Sequence, residues 1–222
     1  MSSESQLFQP LQIRGLSLPN RLVISPMCQY SADDGLSNDW HLAHLGKLAQ
    51  GGAAVVFTEA AAVQRRGRIT HGDLGIWTDA QAQALAGIAR FISSMGSVPA
   101  IQLAHAGRKA SMQRPWHGNG PLDDSDRARG DEPWPVIGPS AIALGEGWLV
   151  PSEMTPAEIA QVVEDFAAAA RRADNAGFGI AEVHAAHGYL AASFLSPISN
   201  HRTDIYGGDR AGRSRMLLET AE

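Results

Sequence analysis

The chain has 222 residues, 44% of them hydrophobic and 18% charged, and its 18 Lys and Arg against 23 Asp and Glu leave a formal net charge of −5. That length and apolar content suit one sizeable core, read as a single domain over residues 1–222, and the acidic balance gives no electrostatic reason to expect a nucleic-acid partner. No apolar run approaches the roughly 20 residues of a membrane helix, residues 1–4 lack a signal-peptide pattern, and a single cysteine, Cys28, excludes an internal disulfide, so the chain reads as cytoplasmic with no membrane partner.

Four strand–helix units are predicted in chain order. A strand over 22–25 precedes a helix over 39–50, with Ser37 or Asn38 as its N-cap, Gly51 and Gly52 as its stop, and Leu42, Leu45, Leu48 and Ala49 as its buried stripe. A second strand over 54–59 leads to a helix opened by Thr78, with Gln81 completing a capping box, Leu85, Ile88 and Ile92 on one face, and Gly96 at the end. Between them Arg65, Arg66 and Arg68 read as a solvated basic loop. The third strand, 98–103, is followed by a connection over about 104–154 rich in Gly, Pro, Asp and Trp. It is too long for a structureless link and reads as a lid or wall over a site. Thr155, Pro156 and Glu158 mark the sharpest helix start, and Ile159, Val162, Val163 and Phe166 repeat at helical spacing up to Gly177. A strand over 179–184 comes next, and a further helix from about Arg213 runs to the last residues.

Alternation of this kind is the signature of a parallel α/β architecture. A closed (β/α)8 barrel takes about 250 residues, so four and a half units with one long connection amount to about half a barrel or to an open sheet. Signatures of a dinucleotide clamp, a P-loop, a zinc protease helix and a serine-hydrolase elbow are absent. What remains is polar chemistry at the carboxyl ends of the strands, where such folds bind ligands.

His184 and His187, three residues apart at a strand end, suit a clamp on one oxygen that gains charge during a reaction. Tyr189 carries a proton that a rigid phenol can deliver. The same pair also suits a structural role bonded to backbone, or a metal site with Glu182, which would make the chain a metal-dependent lyase or hydrolase. Gln102 offers a donor and an acceptor to the edge of a planar heterocycle, or bonds neighbouring backbone. Cys28 reads as small apolar filler or as a tuned thiol near a cofactor, and Tyr30 as a stacking or a packed loop aromatic.

Taken together, these stretches resemble the old yellow enzyme family of flavin-dependent ene-reductases, in particular its branch with a cysteine in the first strand-end loop. The carriers are residues 20–30 (Asn-Arg-Leu-Val-Ile-Ser-Pro-Met-Cys-Gln-Tyr), 67–69, 101–109 (Ile-Gln-Leu-Ala-His-Ala-Gly-Arg-Lys), 184–190 (His-Ala-Ala-His-Gly-Tyr-Leu) and 199–208. The resemblance implies an FMN-binding TIM barrel with an N-terminal hairpin over residues 7–18, present here as about its first half. It implies that Ser25, Pro26, Met27, Cys28, Ala60 and Gln102 contact FMN, that His184 and His187 bind a substrate carbonyl, that Tyr189 is the proton donor, and that Tyr30 borders the substrate pocket. The implied activity moves hydride from NADPH or NADH through the flavin to the β-carbon of a small-molecule enone. Family chains continue further, so the resemblance implies a missing C-terminal half-barrel or a homo-oligomer that supplies it, with weak FMN binding by this stretch alone. A non-catalytic half-barrel assembly module is the alternative outside enzymes. Asp209 to Gly212 departs from the family pattern and is expected to loosen the start of the last helix.

Overall fold

The computed structural model describes residues 5–222. An antiparallel hairpin of β1 (Leu11–Ile13) and β2 (Leu16–Leu18) comes first, as the resemblance implies, and is followed by β3 (Val23–Ile24) and α1 (Asp39–Gln50). Next come β4 (Val55–Ala62), α2 (Asp79–Ser94) and β5 (Val98–Ala104). The long connection holds α3 (Asp124–Ala128), β6 (Ile137–Gly138) and β7 (Ser152–Glu153), and is followed by α4 (Pro156–Asn175), β8 (Ile180–Val183), α5 (Leu190–Leu195) and α6 (Arg210–Ala221). The main sheet is parallel throughout, in the order β3-β4-β5-β8. No helix among the described residues is long and apolar enough to cross a membrane.

The helices start where their caps dictate. Asn38, Thr78 and Thr155 each accept a hydrogen bond from backbone of the first turn, with His41, Gln81 and Glu158 reaching back to close a capping box. Each such cap stabilises its helix by about 1 kcal/mol. Asn38, rather than Ser37, caps α1. The last helix begins at Arg210, three residues before the expected point, because Asp209 accepts from the Gly212 N–H at 2.8 Å. Its start is therefore capped rather than loosened. In α1, Leu45 and Ala49 are buried as expected, but Leu42 is exposed and His41 is buried instead.

The two faces of the sheet have different duties. Val56, Ala61, Ile101, Leu103 and Val183 pack against Leu45, Leu85, Ile88, Ile92, Ile159, Val162 and Phe166 of the helices, forming the main core. On the opposite face Val55, Phe57, Ala100 and Ile180 pack against Leu11 and Leu18, so the hairpin closes one end of that face. Beyond this apolar layer, at the other end, Ala60, Gln102 and Glu182 stand side by side in register.

A bulge puts them there. Phe57 pairs with Ala100 while Ala60 pairs with Gln102, a step of three residues on β4 against two on β5. The extra residue reverses the alternation, so Ala60 shares a face with Gln102. Glu59 is turned aside into a buried pocket, 3.2 Å from His41 Nε2 and accepting from the Gln29 N–H at 3.0 Å. Strand β4 also runs on to Ala62, three residues past the expected end.

The long connection is ordered rather than structureless. Besides its short helix and strands it has single-turn helices at Gly107–Lys109 and Pro115–His117. Arg68 is its anchor, against the expectation of a solvated basic loop: only Arg65 of that patch is well exposed. The Arg68 guanidinium is buried between Trp77 and Trp134, 5.6 and 5.2 Å from their ring centres, and pairs with Asp34 at 3.1 Å. It ties the β3–α1 loop, the β4–α2 loop and the long connection together; its charge stays in place because it has both a carboxylate and two aromatic faces.

Candidate active site

Four parallel strands deliver loops to one rim. At its base, Gln102 Nε2 donates to Glu182 Oε1 at 2.6 Å. A carboxylate only accepts, so the amide nitrogen must face Glu182, and the amide carbonyl is left for another partner. Gln102 thus bonds a neighbouring side chain, not the backbone. The metal reading of Glu182 with the two histidines does not fit this arrangement, and no group of three or more His, Cys, Asp or Glu among the described residues is placed to hold a metal ion.

Above Glu182 on the same face of β8 stands His184, whose backbone N–H extends the ladder to Leu103 O at 2.9 Å. Its Nδ1 accepts from the Ala186 N–H at 3.2 Å. In the neutral ring the proton therefore sits on Nε2, and no described residue takes that donor. Burial, followed by the charge of His187, holds His184 below the ordinary imidazole range, which keeps the ring neutral. His187 and Tyr189 surround it edge-on, with ring centres 5.1 and 4.9 Å from that of His184. His187 is left-handed at φ +57° and Gly188 follows at φ +73°, a tight turn that folds three side chains back onto one spot. Lys109 holds the turn: its Nζ donates to His187 O at 3.0 Å and lies 5.0 Å from the Tyr189 ring centre. Burial raises the Tyr189 phenol above its ordinary range, so it stays protonated.

The β3 loop forms the facing wall. Ser25 and Met27 are exposed and Pro26 is half-buried, with Gln29 Nε2 donating to Met27 O at 2.8 Å. Cys28 is half-buried beside Ile69, Ala106 and Met112. The Ala60 N–H and the Tyr30 hydroxyl favour its ionised form. Burial, with the negative charges of Asp73 and Glu59 behind it, pushes the thiol up to about 12, so Cys28 is a neutral thiol. The apolar-filler reading of Cys28 describes its packing against this cluster. Tyr30 is left-handed at φ +54°, and its ring meets Trp116 edge-on at 5.8 Å.

A small cavity bordered by Ala60, Ala104, Asp73 and Tyr189 lies between these walls. Asp73 is wholly buried and organises the loop beneath, accepting from the Ile69 and Thr70 N–H groups at 2.6 and 3.2 Å and from the Thr70 hydroxyl at 2.7 Å. Burial outweighs these donors and raises its carboxyl to about 7. A wide groove between α1 and α2, near Leu42 and Phe91, contains none of these residues.

Sequence reasoning did not find Lys109, Asp73, Arg68 or the buried Glu59–His41 pair. Lys109 sits in the strand-end run 101–109, but only the turn at Gly107–Lys109 brings its ammonium back over Tyr189. Nothing in local spacing reports that.

A family described as NADH:flavin oxidoreductase / NADH oxidase matches residues 6–222. The chain is 47% identical over 219 residues to an NADH:flavin oxidoreductase of Gibberella zeae, covering 98% of this chain and 52% of that protein. It is 43% identical over 216 residues to an NADPH dehydrogenase of Bacillus subtilis, covering 96% of this chain and 58% of that protein. Among solved structures, a morphinone reductase superposes with a TM-score of 0.83 at 31% identity, over 99% of this chain and 58% of the other. An old yellow enzyme from a Pichia species superposes at 0.84 and 30%, over 98% and 55%. The chain spans between about half and three-fifths of the length of each.

Proposed function

The chain belongs to the NADH:flavin oxidoreductase / NADH oxidase family, with the α/β parallel-sheet units of an old yellow enzyme TIM barrel, and from that premise we propose that it is an FMN-dependent ene-reductase acting on α,β-unsaturated carbonyl compounds. The observation that carries the reading is the neutral His184, whose free Nε2–H stands over the Gln102 amide on one face of β5 and β8. The residues present fit a flavin. The Gln102 carbonyl and its second N–H complement an imide edge, and the exposed Ser25 and Met27 offer a wall to its face. FMN, when bound, supplies hydride to the substrate β-carbon after taking it from NADPH or NADH.

The protein residues do the rest. His184, with His187 beside it, donates to the substrate carbonyl oxygen and stabilises the charge that grows there as the β-carbon is attacked. A fixed donor of this kind contributes about 3 kcal/mol to lowering the barrier. Tyr189, held protonated by burial and steadied by Lys109, delivers the proton to the α-carbon. Tyr30 and Cys28 border the slot, the neutral thiol placing a polarisable group at the flavin edge without a charge. Ser25, Pro26, Met27, Ala60 and Gln102 hold the cofactor.

In the main sheet β3 and β8 are the outer strands. We propose that closing this sheet with further strand–helix units, from the same or another polypeptide, is required for full FMN occupancy. Under anaerobic conditions the yellow holoprotein should bleach with NADPH and recover its colour on adding cyclohexenone. A protein that bleaches and stays bleached with the enone refutes the ene-reductase reading, and one that remains colourless once its sheet is closed by those units refutes the flavin reading.

A further inference from the structure

We propose that Glu182 is a positioning residue for the cofactor: it locks the Gln102 amide in one orientation and places a negative charge beside the flavin imide edge. The proposal rests on the flavin reading above and assigns a role to a residue that touches neither substrate nor cofactor in that reading.

The geometry begins with register. Gln102 and Glu182 are direct partners on neighbouring parallel strands, both on the face that carries Ala60 and, one step further, His184. An amide of Gln has two ends of nearly equal shape, and which end faces a ligand is set by what holds the other. Here the holder is a carboxylate at 2.6 Å. It accepts and never donates, so a flipped amide would set two acceptors against each other, and that state is excluded. A charge-assisted bond of this kind is stronger than one between neutral groups. Gln102 is largely buried, so little water competes for its bond to Glu182. The amide therefore presents its carbonyl to a donor and its remaining N–H to an acceptor. That is the complement of an imide N–H flanked by a carbonyl, and the reverse of what a pyridine-like edge requires.

Charge supplies a second consequence. Reduction of a flavin near neutral pH adds negative charge to the same pyrimidine end. A carboxylate one side chain away opposes it, so Glu182 holds the reduction potential down. Orientation and charge can be separated by two variants. Glu182→Gln removes the charge and lets the Gln102 amide turn freely, so the FMN dissociation constant should rise about tenfold, as expected for one charge-assisted bond, and the midpoint potential should shift positive. The exchange of both residues, Gln102→Glu with Glu182→Gln, keeps the interstrand bond and hence the fold. It turns an acceptor-only carboxylate toward the flavin, so FMN should bind more weakly and the potential should shift negative.

Potentials moving in opposite directions in the two variants are the expected result, read by anaerobic spectroelectrochemistry on the FMN-loaded protein. Shifts of the same sign, or a Glu182→Gln protein with wild-type potential and FMN affinity, overturn the role of Glu182. If Glu182→Gln does not fold, the exchanged pair decides alone: an unchanged or positive shift overturns the proposal. Wild-type protein that takes up no FMN falls first on the flavin reading, and takes this role of Glu182 down with it.

Discussion

Strands β5 and β8 end alike and are used differently. Each closes on a histidine whose Nδ1 accepts a backbone N–H two residues on, from Gly107 at 3.0 Å for His105 and from Ala186 at 3.2 Å for His184. Each imidazole is thereby set to carry its proton on Nε2. In His105 that nitrogen is consumed by Gln64 Oε1 at 3.1 Å, inside the protein, and burial lowers the ring to about 3. In His184 the same nitrogen faces the rim with no described partner. One local device serves as a tie beam in the first case and leaves a donor at the rim without a described partner in the second. The deciding factor is what the neighbouring strand places opposite the ring, because Gln64, just past the end of β4, reaches His105 and no described residue reaches His184 in the same way.

This contrast can be broken first at its structural side. His105→Ala leaves a buried gap, and should lower unfolding stability by about 3 kcal/mol; denaturant titration checks it, and a loss below about 1 kcal/mol would remove His105 from the core. On the functional side, His184→Ala should slow the alkene half-reaction about a hundredfold while flavin reduction by NADPH and unfolding stability change far less. Stopped-flow measurement of the two half-reactions separates them, and equal losses in both would reassign the residue.

Much of this was open to inspection in the chain itself. The caps at Thr78 and Thr155, the strand–helix alternation and the His184–His187–Tyr189 turn all depend on neighbours within a few residues, and local chemistry reports them. Four features were not legible. The bulge at Thr58 and Glu59 becomes visible only when β4 is laid against β5, since an extra residue has no meaning without a partner strand. Arg68 looks like any exposed arginine until Asp34, Trp77 and Trp134 arrive from three separate loops. Helix α5, six residues starting at Leu190, is too short to show a periodic face, and its buried Leu190 and Phe194 read equally well as loop anchors. His105 belongs in the same class: its sequence surroundings resemble those of His184, and only Gln64 tells them apart.

Acid should sharpen the comparison further. An unfolded His105 binds a proton near pH 6.5, whereas the folded one resists until about pH 3. The unfolded state then carries the extra proton throughout that window, so the stabilisation present above pH 6.5 is lost as pH falls, at up to about 1.4 kcal/mol per pH unit from this one ring. Unfolding curves from pH 7 to 4 should flatten in His105→Gln, and an unchanged slope would show that other groups set it. The smallest effect belongs to Lys109. Lys109→Met removes the brace on His187 O and the cation beside Tyr189, and should slow the alkene half-reaction by several-fold, within the range of one partly exposed hydrogen bond; no change at all would leave the turn held by Gly188 and backbone alone.

The central claim is that His184 presents a free N–H donor to a slot over the flavin. Titration of the FMN-loaded protein with p-hydroxybenzaldehyde, followed by the long-wavelength absorbance of a phenolate stacked on flavin, tests it directly. Wild type and His105→Gln should bind with similar affinity, and His184→Ala should bind about a hundredfold more weakly, as expected for loss of a donor to a charged oxygen. Undiminished binding by His184→Ala, or an equal loss in His105→Gln, would contradict the account.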